Sequence, residues 1–183
     1  MRRCLGNVIS VLFSLLKFSI LKLFHFRGFS FYPIQRFSPD TVIRVEKGCK
    51  LRLGKKVRVH SGSKLLCSSG GELEIGDNCR VNYNCMIVCR ESIRIGKGVE
   101  FGPNVLVYDH DHDFRAEGGM SARKYRCGKV SIGENSWIGA NTTILRGTTI
   151  GANCVIGAGS VVKGNVPDNT ILVQKRENEF IAR

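Results

Sequence analysis

Two of the chain's four histidines stand together in the stretch VYDHDHDF, residues 107–114. His110 and His112 alternate there with Asp109, Asp111 and Asp113. Histidine ordinarily titrates near neutrality, so it can take a proton from a hydroxyl as that hydroxyl attacks an electrophile. A neighbouring carboxylate would fix the ring tautomer and stabilise the imidazolium. Three aspartates are available, and their positions do not choose among them. The same residue types allow two other readings. A His-x-His pair can hold zinc if a third, well-separated histidine joins it. His60 is the candidate, although its surroundings, VRVHSGSK, read as an ordinary turn. Alternating Asp and His can also be simply a solvated loop. The expectation is a polar loop, 108–129, set into an otherwise regular chain.

That regularity is what must position the histidines. From residue 130 the chain reads VSIGENSWIGANTTILRGTTIGANCVIGAGSVV. Ile132, Ile138, Ile144, Ile150, Ile156 and Val162 recur every six residues, and Gly133, Gly139, Gly151 and Gly157 follow four of them. A small residue lies four positions after each of the five isoleucines: Ser136, Thr142, Thr148, Cys154 and Ser160. The rhythm recurs upstream with phase shifts, in Ile75–Val81–Ile87, Ile95–Phe101–Val107 and Leu53–Val59–Leu65. A period of six fits neither a helix nor a simple alternating strand. It suits a solenoid in which each side is a short strand and a turn. Three sides close a coil of eighteen residues on this pattern, and the patterned residues make about six coils.

Charge and cysteine narrow the setting. The net charge is +13, of which residues 1–60 carry +11, with Asp40 and Glu46 the only acids there. A basic end suggests an anionic neighbour. The near balance of the rest disfavours nucleic acid, and no nucleic-acid-reading motif occurs. Eight cysteines form no CxxC pair, and Cys49, Cys79, Cys85 and Cys154 occupy the small slot of the repeat. They are expected to be reduced packing thiols in a cytosolic compartment.

Residues 1–28 are the most apolar part. Lys17 and Lys22 interrupt the run, so a spanning helix is not expected. On a helical wheel Arg3, Asn7, Ser10, Ser14, Lys17 and His25 share one narrow stripe, with Lys22 at its edge and Leu, Ile and Phe covering the rest. That is a basic amphipathic helix, suited to a membrane surface or to a partner subunit.

Three segments, IGDNCRVNYNCMIV, FGPNVLVYDHDHDF and IGENSWIGAN, resemble the hexapeptide-repeat acyltransferases, and among them the galactoside, maltose and surface-polysaccharide O-acetyltransferases. The resemblance covers roughly 42–170 and implies a left-handed parallel β-helix with a protruding loop. It implies a homotrimer with sites between subunits. It also implies acetyl-CoA as donor, a sugar hydroxyl as acceptor and no metal. In that family the base stands five residues after the aliphatic that ends the FGPN-type strand, which is His112 counted from Val107, with His110 the alternative. Asn82 and Asn84 would contact the acceptor, and Trp137 would line the cleft. Ala140 and Ala158 would lie along the pantetheine arm, and Lys163, Lys175 and Arg176 would meet the coenzyme phosphates. Where the family usually has an acceptor-side aspartate, this chain has Arg90, which suits a different or acid-bearing sugar. The resulting division is an N-terminal helix (1–28), a catalytic solenoid (29–172) and a basic tail (173–183). The expected activity is O-acetylation in surface-polysaccharide or lipid-linked glycan assembly, at the inner face of the cell membrane. A small soluble acceptor and a zinc enzyme of carbonic-anhydrase type are the alternatives.

Overall fold

A computed structural model describes residues 2–175, 177 and 179–181, with the side chains of the N-terminal helix described from Asn7 onward. Three parallel sheets of seven, seven and six strands wrap one axis, forming a left-handed β-helix. The first face runs from Phe29–Ser30 to Asn165–Val166, the second from Arg36–Phe37 to Ile171–Leu172, and the third from Val42–Val45 to Val161–Val162. The repeat's aliphatics point inward. Ile132 stacks on Ile150, Ile138 on Ile156 and Ile144 on Val162, all buried. Coils stack about 4.8 Å apart, so every strand between the first and last of its sheet pairs above and below.

The corners explain the small slot. Ser136, Thr142, Thr148, Cys154 and Ser160 are all buried, and their side chains bond to corner backbone. Asn78, Asn84, Asn104, Asn135, Asn141, Asn153 and Asn169 take the left-handed conformation in the turns, with φ between 54° and 58°. Asparagine tolerates that region better than other non-glycine residues. Gly133 is needed for approach instead, because a Cβ there would lie 2.4 Å from the Ala152 backbone nitrogen.

The coil length is where the structure departs from expectation. Two corners keep strict steps of six, while the corner between the third and first faces does not. Ten residues separate Ile43 from Leu53 and Leu65 from Ile75, and eight separate Ile87 from Ile95. Twenty-five separate Val107 from Ile132, six separate Ile144 from Ile150, and four separate Val162 from Val166. Eighteen-residue coils therefore hold only beyond the insertion. This long corner absorbs every phase shift, and its longest excursion carries the histidines.

The helix α1, Arg2–Phe24, closes the N-terminal end of the solenoid. Phe18 is buried edge-on against Phe29, Phe31 and Phe37 at ring distances of 5.5, 5.3 and 4.8 Å. Of the polar stripe, Ser10, Ser14 and Lys17 face the first coil, Asn7 is exposed, and the Arg3 side chain lies outside the described residues. Ser10 Oγ donates to the Phe37 carbonyl at 3.1 Å, and Ser14 Oγ accepts from the Phe37 N–H at 2.9 Å. Lys17 Nζ donates to the Thr41 carbonyl, and Lys22 Nζ to the Phe26 and Phe29 carbonyls, both at 2.5 Å. The edge of the first coil has carbonyls and N–H groups with no preceding strand, and the stripe satisfies them. By length and composition alone, Asn7–Phe24 could cross a membrane.

Candidate active site

The long-corner excursion begins as an antiparallel ribbon. Residues His110–His112 pair with Tyr125–Cys127, with His112 opposite Tyr125 and His110 opposite Cys127. The expected polar loop is thus a strand at its root. DHDHD is a period-two pattern, which puts the histidines on one face of the ribbon and the aspartates on the other. Both imidazoles meet the Tyr125 ring, His112 at 4.5 Å and His110 at 5.5 Å between centroids. Arg90 lies over the same ring at 3.7 Å.

The three aspartates have three different jobs. Asp109 is fully buried and accepts N–H bonds from Arg90, Glu91 and Ser92 at 2.8–3.0 Å, which sews the excursion to the coil below. Its Oδ1 is also 3.0 Å from His110 Nδ1. Burial would push this carboxyl up, but hydrogen bonds from His110, the Glu91 and Arg90 N–H groups and the Cys89 thiol outweigh it. The carboxyl is held below the ordinary carboxylate range. Asp111 Oδ2 binds Arg146 Nε at 2.6 Å, tying the ribbon to the coil above. Asp113 Oδ1 accepts the Arg115 N–H in the following turn.

The two histidines are held differently. The His110 side chain is 12% exposed and fixed by Asp109, whereas His112 is exposed on the open end of the ribbon. A base must reach a substrate hydroxyl within hydrogen-bond distance, and His112 has the access. Tyr125 and Arg146 were missed in the sequence. Arg146 had a signal: in LRG it stands where the neighbouring repeats have GAN or GAG. Tyr125 had none, since strand pairing across the excursion brings it in.

The other expected site residues fall elsewhere. Asn82 and Asn84 form the corner between the second and third faces, where Asn82 Oδ1 accepts the Tyr83 N–H and Asn84 has φ 55°. His60 meets the Tyr83 ring there at 4.6 Å, on a different corner from His110 and His112. Ala140 and Ala158 lie higher on that same corner, joined by the Gly159 N–H to Ala140 carbonyl bond. Trp137, 55% exposed, stands on the second face between Glu100 and Val155. Lys163 follows Val161–Val162 on the long corner, and Lys175 is exposed beyond the last strand. Arg176 lies outside the described residues. Among the described residues, no group of three or more His, Cys, Asp or Glu could hold a metal ion.

Residues 129–164 match the family model described as bacterial transferase hexapeptide (six repeats). A galactoside O-acetyltransferase of Lactococcus lactis is 38% identical over 149 residues, covering 75% of this chain and 69% of the relative. An Escherichia coli protein named for O-acetyl transfer in lipopolysaccharide biosynthesis is 33% identical, covering 67% of this chain and 66% of that one. Several matches span about half of the relative or less, as for a Saccharomyces cerevisiae acetyltransferase (53%) and a Rhizobium leguminosarum nodulation protein (42%). The crystal structure of a maltose O-acetyltransferase from Clostridium difficile superposes with a TM-score of 0.58 at 36% identity, covering 64% of this chain and 62% of that one.

Proposed function

The chain belongs to the hexapeptide-repeat O-acetyltransferases, and from that premise we propose that it transfers an acetyl group from acetyl-CoA to a sugar hydroxyl in surface-glycan assembly. The observation that carries this reading is the ribbon at the long corner, which presents His112 openly against Tyr125 while Asp109 anchors its root. His112 acts as general base. A ring nitrogen takes the proton of the acceptor hydroxyl as its oxygen bonds to the thioester carbonyl carbon. The C–S bond then breaks, and the proton passes from the imidazolium to the departing thiolate, giving an acetyl ester and free coenzyme A.

His110 is the positioning partner. Its bond to Asp109 fixes its ring, which packs edge-on against Tyr125 and so holds the surface on which His112 rests. Arg90, stacked over that ring, stands where an acid-bearing sugar could pair with it.

Chain geometry favours a site shared between copies. Five residues separate Asn104, on the corner of Asn82 and Asn84, from Asp109 at the ribbon root. At about 3.3 Å per residue that is about 17 Å along one face. Residues on two corners of one prism do not converge, but the corner of one copy can meet the ribbon of the next. A homotrimer would contain three such sites, with Asn82 and Asn84 facing the acceptor and Ala140, Ala158, Trp137 and Lys163 along the coenzyme.

The test is acetyl-CoA consumption by purified protein against a panel of sugars and lipid-linked sugars, read by thiol release and mass spectrometry. His112→Ala is expected to lower turnover about 10²–10⁴-fold with the melting temperature unchanged. If His112→Ala stays near wild type while His110→Ala abolishes turnover, the roles are reversed. If both variants keep wild-type turnover, the ribbon is not the site.

A further inference from the structure

We propose that α1 is a docking plate that sets the N-terminal end of the solenoid onto an anionic lipid surface. The starting observation is that this amphipathic helix is mounted inside out. Its polar stripe is consumed by the first coil through Ser10, Ser14, Lys17 and Lys22, and Phe18 is locked among Phe29, Phe31 and Phe37. What remains outside is mostly apolar: Ile9, Leu12, Leu16, Ile20, Leu23 and Phe24 are all exposed, with Asn7 and Ser19 the exposed polar residues among the described part of the helix. Contiguous patches of this kind on a soluble surface mark a site of contact. An interfacial helix normally shows its polar face to water. Here the solenoid occupies that side, so the whole end of the protein forms the upper half of the amphipath.

Charge chooses the occupant. Residues 1–60 carry +11, and after Glu46 the next acid is Glu72. At the C-terminal end of the helix Arg27 and Lys47 are exposed beside Glu46, Lys55 and Lys56 are exposed on the second coil, and none of the four cations is in an ion pair among the described residues. A second copy seated on this face would set these like charges against each other. Anionic headgroups would instead neutralise them. The helix lies flat and does not cross the bilayer, because crossing would pull Phe18 from its cluster and return Ser14 and Lys17 to hydrocarbon.

The plate also sets a height. The ribbon leaves the fourth coil, three coil steps above the first. At about 4.8 Å per coil and about 10 Å for the helix, His112 stands roughly 25 Å above the bilayer-facing side. The docking itself does not depend on what the ribbon catalyses.

The experiment is flotation of the purified full chain with phosphatidylcholine vesicles, with and without phosphatidylglycerol. Wild type is expected to float with the anionic vesicles, to float less as salt rises, and to be released by alkaline carbonate. The L12Q/L16Q/L23Q variant is expected to keep its melting temperature and elution volume and to lose at least tenfold in vesicle binding. Four results would each overturn the proposal: wild type floating with neither vesicle, equal binding to both vesicles, retention after carbonate, or flotation of the triple variant like wild type. An elution volume that shows wild type paired without lipid, and the triple variant unpaired, would assign the face to a second copy instead.

Discussion

Two parts of the molecule leave the six-residue rhythm, α1 and the histidine ribbon, and they are secured in opposite ways. The helix gives Ser10, Ser14 and Lys17 to the coil and, apart from the buried Phe18, keeps most of its large apolar residues outside. The ribbon buries one charge, Asp109, at its root and keeps its polar chemistry outside. A polar stripe therefore marks where backbone groups need partners, and water is only one possible partner. In α1 the first coil has free edge groups, so the stripe turns inward. At the ribbon three consecutive N–H groups, of Arg90, Glu91 and Ser92, turn toward one carboxylate.

The largest expected effect lies on the helix side. Phe18 is fully buried and touches three rings of the first coil. Phe18→Ala should cost about 3–5 kcal/mol by removing that contact area and leaving a cavity. Urea titration of the full chain would measure it. A loss below about 1 kcal/mol would mean that the cap is not part of the cooperative fold.

Next comes the ribbon's anchor. Asp109→Asn keeps the size of the side chain but sets an NH2 group among N–H donors. The cost should be about 2–3 kcal/mol, with a fall in turnover because the ribbon loses its root. The acid limb of stability gives a second reading. The folded Asp109 carboxyl titrates below the ordinary aspartate value, so near and below that value the unfolded chain binds more protons and stability rises with pH. The contribution is full above the unfolded value and is lost as pH falls through the folded one. The Asn variant should lose that part of the slope below about pH 4. An unchanged acid limb would contradict the assignment.

These positions also show what the sequence could and could not convey. The repeat gave the prism, its inward aliphatics and its buried small slot, because one residue in six must fill a narrow axis whatever its neighbours do. The phase shifts between the runs at Leu53, Ile75 and Ile95 already marked the long corner, although the coil itself was expected to close in eighteen residues. DHDHD was visible as chemistry and overlooked as a strand. The partners were not legible. Tyr125 reaches the histidines only through pairing across the excursion, with residues 113–124 between it and His112, and Asp109 was one of three equivalent aspartates until its neighbours were in place. The helix was legible as amphipathic, but its orientation depended on the unpaired edge of the first coil, which no helical wheel contains.

Ser14 tests the inversion at a single atom. Its Oγ accepts the buried Phe37 N–H and donates to the Ser10 carbonyl. Ser14→Ala removes only that oxygen and leaves the N–H without a partner, so the expected loss is about 1–2 kcal/mol. If the stripe faced water instead, the same change would be neutral or slightly stabilising, since alanine is the better helix former. The sign of the change in urea midpoint therefore separates the two orientations.

Arg146 carries the smallest expected stability effect and sharpens the ribbon side. Its pair with Asp111 is short at 2.6 Å, but the aspartate is 49% exposed, so solvent screens it. Arg146→Ala should change stability by less than about 1 kcal/mol. Its consequence lies in position, since Asp109 holds the ribbon to the coil below and Arg146 holds it to the coil above. With the upper tie gone, the ribbon can swing about its buried root, and His112 spends less time at the acceptor. The fall should appear in turnover at saturating acetyl-CoA, and Arg146→Lys should restore part of it. If Arg146→Ala raised only the KM for acetyl-CoA, with turnover intact, the guanidinium would be a coenzyme contact and the ribbon would depend on Asp109 alone.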